Sequence, residues 1–221
     1  MGKKLLLIGG GGHCRSVLDS ILTLGEYSEV GIINKNKNNY VDNILGIPII
    51  GCDEDLFKLY HDGYHYAFVA VGSIGKSLLR IKLYKMLEKI GFGIPNVIDT
   101  TAVIGRQVKM GKGIFIGKNA VINVGTSVGK GSIINTGSVV DHDCIINQFC
   151  HIAPGTVLCG EIEVGENTHI GAGSVITRDV PPYALFYGNP ARHKGYITKD
   201  GILLDLQKQD KNGEKYNLDT E

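Results

Sequence analysis

The stretch "IGKNAVINVGTSVGKGSIINTGSVVDHDCIINQFCHI", residues 116–152, carries an aliphatic residue at every sixth position. The same spacing continues on both sides, so that thirteen consecutive positions of this register are aliphatic or methionine. They are Ile104, Met110, Ile116, Ile122, Val128, Ile134, Val140, Ile146, Ile152, Leu158, Val164, Ile170 and Ile176. A period of six suits neither a helix nor an ordinary strand, and it is typical of a prism-shaped coil with one flat side per hexad. Three sides give a turn of about 18 residues, so the sequence predicts about four turns.

Each hexad also has a regular arrangement of smaller residues. A small residue usually stands two positions before the aliphatic one, and a small or polar residue follows it. We expect the aliphatic and the preceding small residue to share the interior, and the following Gly or Asn to form a corner where positive φ costs little. Cys144 and Cys150 occupy the small interior position and are predicted to line the core.

Composition excludes several classes of protein. The 23 basic and 22 acidic side chains give a net charge of +1, so no general field attracts nucleic acid or an anionic membrane. The apolar run at the N-terminus breaks into glycines after four residues, too early for a signal peptide or a membrane span, and a cytoplasmic protein is expected. Five cysteines without CxxC spacing indicate neither a disulfide framework nor a zinc ribbon.

The first 96 residues read as an α/β, Rossmann-like nucleotide-binding unit. "KKLLLIGGGGHCRSVLDSIL", residues 3–22, predicts a strand, a glycine turn and a helix that begins near Cys14 and points at a phosphate. Residues 29–34 and 66–72 predict further strands, and residues 77–91 a helix. Cys14 replaces the third fingerprint glycine, and Asn34 stands where NAD would need an acid. A dinucleotide dehydrogenase is therefore disfavoured, whereas a nucleotide-sugar suits the domain.

The hexads, with "GNPAR" at residues 188–192, resemble the hexapeptide-repeat acyltransferases, whose fold is a left-handed parallel β-helix. With the "GGGGH" domain in front, the chain resembles one subfamily of these enzymes. That subfamily contains the N-acetyltransferases of UDP- or GDP-linked 4-amino-4,6-dideoxysugars, including the bacillosamine and perosamine enzymes, and proteins described as sialic acid O-acetyltransferases. The resemblance implies a nucleotide-sugar-binding domain at 1–96, an acetyltransferase β-helix at 97–197 and a polar C-terminal extension at 198–221.

The subfamily motif, a histidine followed by an acid with a second histidine nine residues on, maps to His142, Asp143 and His151. His142 is the second residue after an interior aliphatic, a slot filled elsewhere by solvent-facing types, so it should be accessible at a corner. The resemblance implies His142 as general base, Asp143 as its orienting partner, and a backbone N–H near Gly160 as oxyanion donor. Gly160 lies 18 residues from His142, which predicts a separation of about one strand spacing, roughly 4.8 Å.

The remaining binding residues follow from the resemblance alone. The nucleotide-sugar is expected to contact Gly9, Gly11, Gly12, His13, Asn34, Lys35, Ser73 and Asn135. Coenzyme A is expected to contact His151, Gly160, Ala172, Gly173 and Arg192. Arg80 resembles another residue that lines the sugar pocket. The expected co-substrate is acetyl-CoA, and no metal is expected. The resemblance implies a homotrimer, and the wide β-surfaces of the coil indicate that a partner covers one of its sides.

The sequence leaves several functions open. The first is N-acetylation of a nucleotide-linked 4-amino-sugar, with UDP favoured over GDP. The second is O-acetylation of sialic acid or another sugar hydroxyl, and a non-catalytic scaffold is a third. A carbonic-anhydrase-like site is disfavoured by the spacing of His142, His151 and His169. A metal site built from His142, His151 and Cys159 is disfavoured because the cysteines are expected to face inward or to lie at another corner.

Overall fold

The computed structural model describes residues 2–35, 43–72 and 77–218. Within them the helices are α1 Gly12–Leu24, α2 Leu56–His61 and α3 Leu78–Ile90, with a 3₁₀ turn at Asp53–Asp55. The strands of the N-terminal domain are β1 Lys4–Ile8, β2 Glu29–Ile33, β3 Asn43–Ile44, β4 Ile47–Gly51 and β5 Tyr66–Val69. The strands of the coil are β6 Val97–Ile98, β7 Val103–Ile104, β8 Lys109–Met110, β9 Phe115–Ile116, β10 Val121–Ile122, β11 Ser127–Val128, β12 Ile133–Ile134, β13 Val139–Val140, β14 Ile145–Ile146, β15 His151–Ile152, β16 Val157–Leu158, β17 Glu163–Val164, β18 His169–Ile170 and β19 Val175–Ile176. The last strands are β20 Ala184–Gly188, β21 Ala191–Ile197 and β22 Leu203–Leu204.

The N-terminal domain is a five-stranded sheet in the order β3-β4-β2-β1-β5, and β1, β2, β4 and β5 run parallel. Leu5 to Leu7 of β1 are fully buried, as expected for a central parallel strand covered on both faces. The glycine loop links β1 to α1, which begins at Gly12 rather than near Cys14. All parallel strands end at the same edge of the sheet, so this loop, Asn34 and the turn after β4 lie side by side.

The coil is a parallel β-helix in which each strand pairs with the strand 18 residues later. Its three sides are distinct. The docking face consists of β6, β9, β12, β15 and β18, the valine face of β7, β10, β13, β16 and β19, and the third face of β8, β11, β14 and β17. The predicted interior is confirmed, because from Ile116 onward every aliphatic residue of the register is buried, as are Cys144 and Cys150.

The corners differ from the sequence prediction. From Ile104 to Ile170, positive φ falls on the third residue after each interior aliphatic, for example Gly125, Gly137 and Asp143, and not on the first. Several first positions hold glycine for another reason. A Cβ on Gly129 would lie 2.5 Å from the backbone nitrogen of Gln148 in the next coil. At this corner the close approach of successive coils therefore favours glycine.

The N-terminal domain packs on the docking face of the coil. Val97, Phe115 and Ile133 project outward from that face, are at most 3% exposed, and belong to the same hydrophobic cluster as β1 and α1. A hydrogen bond of 2.5 Å from the Ser20 hydroxyl of α1 to the buried Asp99 carboxylate adds a polar contact. The two domains thus share one apolar core, which fixes the side of the prism that carries the nucleotide-binding domain.

The C-terminal extension folds back onto the molecule. β20, β21 and β22 continue the docking-face sheet beyond β18 as an antiparallel meander. Leu204 and Leu218 pack with Tyr183 in a small cluster, and the backbone N–H of Leu78 at the start of α3 donates to the Lys199 carbonyl at 2.9 Å. Among the described residues, the helices are all too short or too polar to cross a bilayer.

Candidate active site

His142 lies on the edge between the valine face and the third face, at the turn that joins β13 to β14. Its side chain is 46% exposed, and its Nδ1 lies 3.0 Å from Asp143 Oδ2. Asp143 holds a φ of 56°, a left-handed conformation that most residues avoid but that Asp tolerates. This backbone conformation turns an acidic side chain back onto the neighbouring imidazole.

The environment of His142 favours its protonated form. The hydrogen bond with Asp143 is the main cause that raises the pKa of His142, followed by the negative charge of Asp141. The charges of Asp143 and Glu161 add to this effect, while partial desolvation opposes it. With Nδ1–H donating to Asp143, the lone pair of the neutral ring is on Nε2, the nitrogen that faces away from the acid.

Gly160 lies next to that nitrogen, one coil further along the same edge. A methyl group added at Gly160 would stand 2.6 Å from His142 Nε2 and 2.7 Å from Cε1. The expected adjacency of these two residues is therefore present in the structure. Cys159, the residue before Gly160, is exposed and lies on the same edge, whereas the sequence predicted an inward position or another corner.

A local hydrogen-bond pattern distinguishes Gly160 from Val124 and His142 in the two preceding coils. At the equivalent corners, Asn123 Oδ1 accepts the N–H of Val124, and Asp141 Oδ1 accepts the N–H of His142, each at 2.8 Å. Cys159 occupies the same position but has no side-chain oxygen to offer. Within the described residues, the Gly160 N–H has no acceptor, so it is available to a ligand at the His142 edge.

Asp141 and Asn123 hold the backbone of His142 in place. Asn123 Nδ2 donates to Asp141 Oδ1 at 2.9 Å, and the same oxygen accepts the His142 N–H. The sequence alone predicted no role for either side chain. Asn123 precedes Asp141 by one 18-residue turn, and this spacing is the signal that predicts their contact.

His151 lies on the docking face, which is the side of the prism opposite the His142 edge. Its imidazole is 6% exposed, 3.4 Å from Asn135 Nδ2, and its ring meets that of His169 edge-on at 4.8 Å. Because His142 is on another side of the prism, one chain cannot gather His142, His151 and His169 around a single ion. Across residues 2–35, 43–72 and 77–218, no group of three His, Cys, Asp or Glu side chains is arranged to hold a metal ion.

The other predicted coenzyme residues are also away from His142. Ala172 and Gly173 form the turn between β18 and β19, so they lie on the edge that joins the docking face to the valine face, the same edge as Asn135. Arg192 is exposed on β21, where it pairs with Tyr187 of β20. The predicted site residues thus fall into two groups, with His142, Asp143 and Gly160 on one edge and the rest on or beside the docking face.

A cavity of about 490 Å³ lies at the carboxyl edge of the N-terminal sheet. Of the predicted sugar-binding residues, Gly9, Gly11, Gly12, His13, Asn34 and Lys35 line it. Asp53, Leu79 and Leu83 also line it, and the sequence did not predict them. Asp53 could have been found as an acid that follows a strand, had "IPIIG" been read as β4. The prediction for Ser73 lies outside the described residues.

His13 and Arg80 lie between the two domains. The His13 ring meets Phe115 of the docking face edge-on at 5.1 Å, and burial, followed by the charge of Arg80, lowers the pKa of His13 to about 4. The sequence predicted that Arg80 lines the sugar pocket, but Arg80 is not among the residues that line the cavity. Its guanidinium is buried, and Nη2 donates to the Phe149 carbonyl at 3.0 Å, which ties α3 to a corner of the coil.

A hexapeptide coil that carries an exposed His–Asp pair, with a glycine-loop nucleotide-binding domain packed on one side, is typical of the hexapeptide-repeat acyltransferases. Models of known families agree with this. Residues 4–87 match the PglD N-terminal domain, residues 107–142 a hexapeptide repeat of succinyl-transferase, and residues 143–178 the bacterial transferase hexapeptide of six repeats.

Solved structures extend the likeness over both domains. A histidine-to-asparagine variant of perosamine N-acetyltransferase from Caulobacter crescentus, in complex with CoA and GDP-perosamine, is 33% identical, covers 88% of this chain and 98% of that chain, and has a TM-score of 0.76. The acetyltransferase domain of PglB from Neisseria gonorrhoeae, in complex with acetyl coenzyme A, is 28% identical and has a TM-score of 0.75. The match covers 87% of this chain and 100% of that domain. The chain belongs to the family of sugar N-acetyltransferases that join a PglD N-terminal domain to hexapeptide repeats. The predicted fold, with its left-handed β-helix, is confirmed.

Curated relatives match over a shorter stretch. The dTDP-3-amino-3,6-dideoxy-alpha-D-galactopyranose 3-N-acetyltransferase of Aneurinibacillus thermoaerophilus is 55% identical over 47 residues, which are 21% of this chain and 24% of that protein. The match therefore spans about a quarter of that relative.

Proposed function

We propose that this protein transfers the acetyl group of acetyl-CoA to the 4-amino group of a nucleotide-linked 4-amino-4,6-dideoxysugar, with His142 as general base. The observation that carries the proposal is the His142 edge, where an exposed imidazole is bonded to Asp143 through Nδ1 and faces Gly160 with Nε2. The perosamine enzyme from Caulobacter crescentus, which shares both domains with this chain, was solved with CoA and GDP-perosamine. That likeness supports the substrate class.

The arrangement suits direct attack by the amine. The neutral amino group attacks the thioester carbonyl, and its proton passes to His142 Nε2. Asp143 stabilises the imidazolium that results and keeps the ring in the tautomer that accepts at Nε2. The carbonyl oxygen, now negatively charged, accepts a hydrogen bond from the Gly160 N–H. The tetrahedral intermediate then expels the coenzyme A thiolate, which takes the proton from His142.

A complete site requires a second copy of the chain. His142 stands on the edge opposite the docking face, where the nucleotide-binding domain packs. At about 3.3 Å per residue, a six-residue side measures just under 20 Å, so that edge is on the order of 15 Å from the opposite side. The bond-forming atoms must approach within a few ångströms. We therefore assign the base to one subunit and the nucleotide-sugar pocket to its neighbour.

The valine face supports a homotrimer that brings these parts together. Its outward residues form a stripe of valines, of which Val103, Val139 and Val157 are 59%, 36% and 37% exposed. This face is bounded by the His142 edge on one side and by the Asn135 edge on the other. When three such faces close around a threefold axis, each His142 edge meets the Asn135 edge of the next subunit. Asn135, Ala172 and Gly173 would then face His142 of the partner subunit across a groove for coenzyme A.

Acetyl transfer by the purified protein tests the proposal. The assay follows thiol release from acetyl-CoA with a panel of UDP- and GDP-linked 4-amino-sugars and with free sialic acid. We expect turnover with an amino-sugar nucleotide, and a 10²- to 10⁴-fold lower kcat/KM in His142→Ala. His61→Ala, a histidine substitution on α2 of the N-terminal domain, is the matched control and should retain wild-type activity. Full activity of His142→Ala would refute the role of the base, and turnover with sialic acid alone would favour O-acetylation.

A further inference from the structure

We propose that Asp53 recognises the nucleobase of the nucleotide-sugar and selects guanine, with Lys35 beside it. The inference rests on the proposed function, because it takes the ligand of the N-terminal cavity to be a nucleotide-sugar. Asp53 lines that cavity in the 3₁₀ turn after β4. The relative solved with GDP-perosamine is consistent with this choice of base.

The order of the strands assigns Asp53 to the base. The glycine loop follows β1, Asn34 follows β2, and Asp53 follows β4, and these strands are consecutive neighbours in the sheet. In doubly wound sheets, the pyrophosphate binds at the glycine turn and the ribose at the end of the next strand. The base extends further in the same direction. Each step is one strand spacing of about 4.8 Å, so Asp53 is two steps from the phosphate position.

Asn34 is not positioned to read the base. A Cβ added to Gly10 would lie 2.9 Å from Asn34 Nδ2, so this side chain rests on the glycine loop, at the level of phosphate and ribose. Lys35 lies next along the chain, lines the cavity, and interacts electrostatically with Asp53. The charged groups at the base end of the cavity are therefore one carboxylate and one ammonium.

Asp53 is ready to accept hydrogen bonds from a ligand. Asp53 is only partly exposed, and its carboxylate makes no hydrogen bond or ion pair with the described residues, although its backbone carbonyl accepts the N–H of Leu56. Its neighbours differ, because Asp55 accepts the N–H of Cys52 and Glu54 contacts the Cys52 thiol. Desolvation, followed by the charge of Glu54, raises the pKa of Asp53, while Lys35 opposes the shift. A half-buried carboxylate without a donor is stabilised when a ligand supplies one.

Guanine fits this pair of charges better than uracil. Its N1–H and N2–H are adjacent donors that match the two oxygens of a carboxylate, and its O6 accepts from an ammonium. Uracil presents one N–H between two carbonyl oxygens, and these oxygens would oppose the second carboxylate oxygen. The prediction from the sequence favoured UDP, and the position of Asp53 reverses that preference.

Binding of free nucleotides to the full-length protein tests the inference. Isothermal titration would compare GDP with IDP, which lacks only the N2 amino group, and with UDP. Loss of one hydrogen bond to a charged group predicts that IDP binds about 10- to 100-fold more weakly than GDP, and UDP no more tightly than IDP. In Asp53→Asn, GDP affinity should fall to about that of IDP. Glu54→Gln, in the same turn, is the matched control and should keep the wild-type ratio.

Equal affinity of the wild type for GDP and IDP would overturn the inference, and so would tighter binding of UDP than of GDP. Both results come from the wild-type protein, so they do not depend on whether a variant folds. An unchanged GDP-to-IDP ratio in Asp53→Asn would also overturn it. If UDP binds best and UDP-amino-sugars are acetylated, the proposed function stands while the inference fails. If GDP, IDP and UDP all fail to bind, both the inference and the nucleotide-sugar part of the proposed function fail.

Discussion

Substituting Gly160 by alanine should disable the site through one steric contact. The added Cβ would lie 2.6 Å from His142 Nε2, 2.7 Å from Cε1 and 3.1 Å from Cδ2. Non-bonded atoms prefer about 3.5–4.0 Å, so the imidazole must retreat by about 1 Å. A displacement of that size in a reacting group costs about 100-fold in rate, which is the loss of kcat/KM we expect. Gly160 is outside the left-handed region, so alanine adopts its backbone conformation without strain.

The thiol-release assay should be run on Gly160→Ala alone and in a His142→Ala background. Without the imidazole there is nothing for the methyl group to displace, so the second substitution should add little to the loss already caused by His142→Ala. Thermal melts of each variant verify that the fold is retained. Wild-type activity of Gly160→Ala would refute the steric argument. An equal loss in both backgrounds would mean that Gly160 acts through access of the coenzyme rather than through His142.

Three further perturbations test the site and its assembly. In Asp143→Asn, the rising limb of the pH profile of kcat/KM should move to lower pH, because Asp143 raises the pKa of His142 and the base acts when it is neutral. A profile whose rising limb stays at the wild-type pH would contradict this. Val139→Asp, on the valine face, should leave monomers in sedimentation in place of the proposed trimer, and it should abolish acetyl transfer while nucleotide binding is retained. An active trimer of this variant would exclude the interface. His13 has a pKa of about 4 against 6.5 in the unfolded chain, so the free energy of unfolding should fall as pH drops from 6.5 to 4, by at most about 3 kcal/mol. Urea titrations should show a smaller fall for His13→Asn than for the wild type, because the pKa of His193 is also lowered by burial and its contribution remains. Parallel curves would refute the assignment.

The coil could be predicted from the sequence because its information is local and repeated. An aliphatic residue at every sixth position can be buried by a three-sided coil and by neither a helix nor a flat strand, so thirteen hexads indicate one fold. The same register assigned Cys144 and Cys150 to the interior and His142 to an accessible corner. It also set Gly160 one turn above His142, and the structure has these two residues in contact distance.

The docking of the N-terminal domain was decided by tertiary packing. Nothing in the hexad pattern distinguishes one side of the prism from another, and the choice depends on contacts of Phe115 and Ile133 with side chains about a hundred residues earlier in the chain. This choice separates His142 from the nucleotide cavity, and it led us to divide the site between subunits. Asp53 likewise enters the cavity only because β4 pairs beside β2. Periodic burial can be read from neighbouring residues, whereas the placement of one face against another depends on the whole folded surface.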